Sequence, residues 1–281
     1  MAFWKSAHAP PRSAPAGSGA PGSVQSLSYA RVSRFRTILP RQEDADFHEA
    51  TNRLVCILKK CAKEADRTGV FPPTAILFSE NSMGYVFSIK TDDVMKYADA
   101  MQKLVRPDLP LAVAFSVLEQ SPSGPRNAGY LLNGVRIQRT LKRVCTNYDH
   151  WHLMKVFHFE EAEFHKENWD AQGDQMQAQG IAFPTLYVGG GLSVELRVCY
   201  DITVEPIRME PDVITLVPAF GLNPHIETLC AHRKSVIIND GNYHLSHVGA
   251  LPSNMIYGHS STFRRLDETI LDGEISAFSS D

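Results

Sequence analysis

Hydrophobic and polar positions alternate with period two over residues 32–39, Val32-Ser33-Arg34-Phe35-Arg36-Thr37-Ile38-Leu39, which predicts a half-buried strand. The period then lengthens. Over 44–65 the apolar residues Phe47, Ala50, Leu54, Ile57, Leu58 and Cys61 recur at helical spacing, so an amphipathic helix is expected, stopped by Thr68-Gly69. Pro72-Pro73 follow, and 75–78 reads as a short buried strand. A second helix is predicted over 92–104, with Thr91 or Asp92 as its N-cap. Residues 111–118 form an apolar strand, and 128–132 pairs with 136–140 through the hairpin-turn dipeptide Asn133-Gly134. Further strands are expected over 154–159, 185–188, 194–198 and 214–217, and a helix over 225–233 precedes a strand over 235–238. Strands interleaved with helices, together with a hairpin, imply an α/β protein with mixed sheets.

Composition narrows the picture. A chain of 281 residues has room for one large domain or two small ones. Residues 1–27 are biased to Pro, Ala, Gly and Ser and hold too few large apolar groups to offset the entropy of ordering, so a flexible tail is expected before a domain over 28–281. An export leader is the other reading of that tail. The formal net charge of -3 gives no global field toward nucleic acid or an anionic membrane. No apolar run reaches the roughly 18 residues of a membrane span. Cys56, Cys61, Cys145, Cys199 and Cys230 form an odd set without C-x-x-C spacing, which points to reduced thiols in a cytoplasmic setting rather than a disulfide framework or structural zinc.

Only Cys199 has a neighbourhood that suggests chemistry. It lies in Leu196-Arg197-Val198-Cys199-Tyr200-Asp201, where a strand ends and a turn begins, a placement that holds a nucleophile on rigid backbone. Ile76-Leu77-Phe78-Ser79-Glu80 is an apolar run ending in a carboxylate, followed by Gly84-Tyr85. Leu153-Met154-Lys155-Val156-Phe157-His158-Phe159 sets a lysine among apolar residues. Glu80, Lys155 and Cys199, in that chain order, resemble the catalytic set of the nitrilase, or carbon–nitrogen hydrolase, superfamily. Cys-Tyr-Asp is the most specific part of that resemblance.

The resemblance covers about residues 30–275 and implies a four-layer α-β-β-α sandwich with two mixed sheets. It makes Glu80 the general base, Cys199 the nucleophile and Lys155 an oxyanion stabiliser, with Lys142, eight residues after Gly134, as a competitor for the last role. It implies an oxyanion donor in the Tyr200 N–H, pocket-edge roles for Tyr85, Pro218 and Ala219, and a second carboxylate near the lysine. Glu160, Glu161, Glu163 and Glu167 lie in range for that carboxylate, and Glu167, with Gly173 following, fits best. The sequence departs from the family pattern at Ser79, which stands where a proline is usual. It departs again at Glu195, where glycine is common, and there the carboxylate would narrow or recharge the pocket floor.

Two other chemistries are weaker. His150, His152, His158 and His165 are histidine-rich but lack a compact ligand motif, and Gly189-Gly190-Gly191 lacks the Lys-Ser or Lys-Thr of a phosphate loop. The glycines read better as a tight turn. The expected activity is therefore thiol-dependent cleavage of a non-peptide C–N bond in a small amide, N-carbamoyl or nitrile compound. No cofactor, metal, nucleic acid or membrane is called for. A binding or effector module on the same fold, and acyl transfer through the same three residues, are the rival readings. The resemblance further implies self-association as a dimer, with Ile202, Val204, Ile207 and Met209 offered as its apolar surface.

Overall fold

The computed structural model describes residues 35–40, 47–80, 89–121, 124–146, 149, 166–204, 213–220, 236–240, 255–258 and 274–276. Among them, strands gather into two mixed sheets. The seven-stranded sheet contains β1 (Arg36–Ile38), β2 (Thr74–Leu77), β3 (Ile89–Lys90), β4 (Leu111–Ser121), β5 (Gly124–Leu132), β6 (Ile137–Leu141) and β12 (Glu274–Ser276). Its order is β12-β1-β2-β4-β5-β6, with β3 paired beside the far end of β4. The five-stranded sheet runs β11 (Met255–Gly258), β10 (Val236–Asp240), β9 (Val213–Ala219), β8 (Leu192–Leu196), β7 (Thr185–Gly189).

The sheets lie face to face because successive strand residues point to opposite sides and both sides are apolar. Ala75, Leu77, Ala112, Ala114 and Leu131 of the larger sheet meet Leu186, Val194, Leu196, Ile214, Leu216 and Ile237 of the smaller one. The alternate residues Ile76, Val113, Phe115, Val117, Ala128, Tyr130 and Leu132 face outward onto two helices. Helix α1 (Phe47–Thr68) supplies Ala50, Leu54, Ile57, Leu58 and Cys61, the stripe read from the sequence, and α2 (Thr91–Leu104) supplies Val94, Ala98 and Met101. Each fully buried Leu, Ile or Val contributes roughly 1.5–3 kcal/mol. The outer face of the smaller sheet packs Val217, Ala219, Val236 and Ile238 against Val198, Cys199 and Ile202.

This is the expected α/β arrangement of two mixed sheets with helices outside. Ile202, offered above as part of a self-association surface, is instead fully buried in the chain's own core. A helix not read from the sequence, α3 (Lys166–Ala178), is present. Its sequence has no apolar stripe, and the buried Trp169 alone gives it a core anchor. The strand expected over 154–159, the helix over 225–233, the tail over 1–27, and Ile207 and Met209 lie outside the described residues.

Glycines at two places in the fold set a turn and a close approach of chain to chain. Gly189, Gly190 and Gly191 have φ of 87°, 63° and 80°, the left-handed region that glycine occupies at low cost, and they form the turn between β7 and β8. A Cβ at Gly129 on β5 would lie 2.7 Å from Val198 Cγ2 and 2.9 Å from Leu196 Cδ2. Its absence lets the chain leading to Cys199 settle directly on the larger sheet.

Candidate active site

The C-terminal ends of β2, β8, β9 and β10 meet at one end of the sandwich, and hydrogen bonds lace the sheets together there. Glu80 N–H donates to the Ala219 carbonyl at 3.1 Å, and Asn239 Nδ2 donates to the Leu77 carbonyl at 2.7 Å. Glu80 lies three residues past β2 and is 3% exposed, a burial that a carboxylate tolerates only with partners. Asn127 Nδ2 donates to Oε1 at 2.6 Å and Lys142 Nζ donates to the same oxygen at 2.8 Å, and Cys199 lies close enough for the two groups to shift each other's titration.

Cys199 opens a short 3₁₀ helix, Cys199–Thr203, directly after the smaller sheet's β8. Its φ is 50°, the only positive value for a non-glycine among the described residues. Such a conformation costs on the order of 1 kcal/mol and persists where the surroundings over-determine it. The strand end, the 3₁₀ turn and the packing of Ile202 do so here. Phe220 N–H, just past β9, hydrogen-bonds the sulfur.

Lys142 follows β6 and continues its ladder, its N–H donating to the Asn127 carbonyl at 2.8 Å. Its ammonium is buried between two carboxylates, 2.8 Å from Glu80 Oε1 and 2.6 Å from Asp149 Oδ1. Asp149 is held by Thr146, whose N–H and hydroxyl each donate to Oδ2 at 2.7 Å, while Asp149 N–H donates back to the Thr146 hydroxyl. That reciprocal pair is a capping box with aspartate in the place of glutamate.

The electrostatics follow from burial and from these neighbours. Desolvation raises the Glu80 carboxyl above its ordinary value, although Lys142 opposes it. Desolvation also pushes the Cys199 thiol well up, and the Glu80 charge adds to the effect while Lys142 works against it. Burial alone would lower Lys142, but Asp149, Cys199 and Glu80 together hold it well above the usual lysine range. Burial and Glu80 thus favour the protonated thiol, burial raises the basicity of the Glu80 carboxyl, and the acidic neighbours of Lys142 favour its charged form. A proton passing from sulfur to Glu80 keeps the buried charge constant when negative charge appears on a bound group.

Asp201 completes the motif. Its Oδ1 accepts from Arg143 N–H at 2.8 Å and Val144 N–H at 2.9 Å, and Oδ2 has no hydrogen-bond partner. Burial pushes this carboxyl up to about 7, against the opposing pull of the Val144 N–H and Lys142. The stability tied to its proton is therefore fully present below the ordinary value near 3.8 and is lost as pH rises through about 7. Asp201→Asn keeps the acceptor and cannot ionise, so it is expected to gain on wild type by on the order of 3 kcal/mol between about pH 4 and about pH 8. Urea midpoints at the two values check this, and a difference between the proteins that does not change with pH would remove the buried-acid account.

The sequence-derived candidates fall as follows. Glu80 and Cys199 share this site, and Lys142, the competitor, is the lysine bound to Glu80. Lys155, the preferred lysine, lies outside the described residues, as do Tyr85, Glu160, Glu161 and Glu163. Glu167 is the second residue of α3, and the carboxylate on Lys142 is Asp149. Tyr200 is the second residue of the 3₁₀ helix, one ahead of Asp201, whose N–H makes the turn's first hydrogen bond, to the Val198 carbonyl. Pro218 and Ala219 are buried at the end of β9, beside Glu80. Glu195 does not recharge the pocket, because Arg197 Nη2 donates to it at 3.2 Å alongside an Nε–Oε1 ion pair.

Sequence reading missed Asn127 and Asp149. Counting back through the hairpin from the pair Leu132–Ile137 sets Lys142 opposite Asn127, and Thr146-x-x-Asp149 is a capping-box signature, so both were within reach. Among the described residues no group of three His, Cys, Asp or Glu side chains is placed to hold a metal ion.

No protein-family model and no curated protein matches the sequence. Solved structures do. An amidase from Nesterenkonia sp. is similar over 81% of this chain and 76% of its own, at 15% identity and a TM-score of 0.45. A carbon–nitrogen hydrolase from Helicobacter pylori is similar over 79% and 78%, at 12% identity and a TM-score of 0.46. A protein of the CN-hydrolase superfamily from Xanthomonas campestris, with an arsenic adduct in its active site, is similar over 74% and 76%, at 14% identity and a TM-score of 0.47.

Proposed function

We propose that this protein is a thiol amidohydrolase that cleaves a non-peptide C–N bond in a small amide or N-carbamoyl compound. The observation that carries the reading is the burial of Cys199 and Glu80 in one electrostatically coupled site, with Lys142 Nζ bound to the Glu80 carboxylate at 2.8 Å. In the first half-reaction Glu80 takes the thiol proton as sulfur bonds to the carbonyl carbon, and the carbonyl π electrons move to oxygen. Lys142 and the Tyr200 N–H are the donors for that oxyanion. Collapse breaks the C–N bond, and Glu80 returns its proton to the departing nitrogen. In the second half, water attacks the thioester and gives a proton to Glu80. The carbon–sulfur bond breaks and the sulfur recovers that proton. Asp149 keeps the ammonium charged and aimed through both halves.

Tyr-Asp after the cysteine favours amides and N-carbamoyl compounds over nitriles within the resembling family. The test pairs turnover with labelling. A panel of primary amides, N-carbamoyl amino acids and nitriles is assayed for ammonia release, and the protein is treated with a haloacetamide, an amide-shaped alkylator. Cys56 is exposed and Cys199 buried, so accessibility alone predicts labelling at Cys56. The expected result is faster labelling at Cys199, with ammonia released from an amide or carbamoyl substrate. Labelling confined to Cys56, with no substrate turned over, would remove the reading.

A further inference from the structure

Beyond β6 the chain from Arg143 to Thr146 pairs with no strand among the described residues, and its buried N–H groups go to other acceptors. Side chains supply them. Cys145 N–H donates to Asp170 Oδ1 at 3.2 Å and Thr146 N–H to Asp149 Oδ2 at 2.7 Å, while the Trp169 indole N–H donates to the Lys142 carbonyl. The two N–H groups directly after Lys142 both go to Asp201 Oδ1. Asp201 lies two residues after Cys199, in the same five-residue turn.

That turn is closed on itself. Asp201 N–H donates to the Val198 carbonyl at 3.0 Å, and Arg197 Nη1 donates to the carbonyls of Asp201 at 3.3 Å and Val204 at 2.6 Å. The Arg143 and Arg197 guanidinium groups both lie over the Phe183 ring, at 3.7 and 3.9 Å from its centre. Lys142 and Cys199 arrive from different sheets, so their separation depends on what joins these two segments.

We infer that Asp201 is a positioning residue: by holding the N–H groups of Arg143 and Val144 on the nucleophile's own turn, it fixes Lys142 against Glu80 and Cys199. The inference rests on the thiol-hydrolase reading for its functional consequence. What it requires is an acceptor oxygen at Oδ1. Both tethering bonds end on Oδ1 and Oδ2 has no hydrogen-bond partner, so a neutral side chain with the same acceptor would hold them. The other charged groups facing this cluster are Glu80 and Asp149 on Lys142, Arg143 and Arg197 around Asp201, and Glu195 on Arg197.

The test combines steady-state kinetics with the pH profile of haloacetamide labelling at Cys199, on the full chain. Asp201→Ala is expected to lower kcat by ~30-fold with KM changed less than ~3-fold, because a misplacement near 1 Å can cost about 100-fold. Its labelling midpoint moves to higher pH, since Lys142 draws away from the sulfur whose ionisation it favours. Asp201→Asn restores the acceptor and, with it, kcat to within ~3-fold and the wild-type midpoint. An alanine variant with wild-type kcat and midpoint would overturn the inference. So would an asparagine variant that loses more than ~10-fold in kcat with a shifted midpoint, and that arm decides alone if the alanine variant does not fold. A wild type that hydrolyses nothing counts against the hydrolase reading, while the midpoints still test the tether.

Discussion

Cys199→Ala is expected to lower amide turnover by ~10⁴-fold or more while leaving the fold in place, because a covalent route without its nucleophile has no slower version of the same step. The structural cost is small. One buried sulfur is lost, worth about 1 kcal/mol, and Glu80 keeps its bonds from Asn127 and Lys142. The residue at φ 50° remains an L-residue with a Cβ, so the backbone strain is unchanged. Glu80→Gln is expected to approach the same loss by a different route. A glutamine carbonyl can still accept from Lys142 and Asn127, but it cannot take the thiol proton. Measured turnover and thermal unfolding for the pair separate chemistry from folding. Turnover near wild type in Cys199→Ala would end the thioester mechanism, whatever the behaviour of Glu80→Gln.

Much of this architecture was legible in the sequence because the central strands are buried on both faces. Residues 75–78 read as an unbroken apolar run and 111–118 as one interrupted only by Ser116, and the stripe Ala50, Leu54, Ile57, Leu58, Cys61 had one helical face to bury. Helix α3 escaped notice for the opposite reason. Lys166–Ala178 is polar almost throughout, and its place is set by Trp169 and Asp170 reaching the Lys142–Cys145 backbone, contacts no local period can announce. Strands β11 and β12 are short, and β12 pairs with β1 across most of the chain length, which pattern alone does not encode.

The site shows the same division. Glu80 and Cys199 each end a recognisable run, so their neighbourhoods carried them. The lysine did not stand out in that way. Apolar neighbours favoured Lys155, which lies outside the described residues, while hairpin register carries Lys142 to the side of Asn127 and so to Glu80. Asp149 was hidden for a related reason. Its carboxylate is bonded to Thr146 three residues earlier and to the lysine seven residues earlier, so it reads locally as a cap.

Lys142→Ala should therefore lower turnover by ~10³-fold, and Lys155→Ala should leave it within ~3-fold, because Glu80 already has its ammonium 2.8 Å away. The first substitution also carries a stability signature. It leaves Glu80 and Asp149 buried without the cation between them, a loss of about 3–5 kcal/mol when one partner of a buried ion pair is removed. The sign with pH follows from Glu80: burial raises its carboxyl and Lys142 lowers it. Without Lys142 its folded-state proton affinity rises further, so the variant's stability is best preserved at low pH, where it is protonated, and falls as pH rises and it ionises. Wild type keeps the cation and lacks this added slope. Chemical denaturation of Lys142→Ala and wild type at about pH 5 and about pH 8 should show the gap widening at the higher value. A Lys155→Ala protein that loses turnover while Lys142→Ala retains it would move the oxyanion role back to Lys155. A gap that does not widen with pH would mean that the ammonium does not neutralise Glu80 and Asp149 in solution.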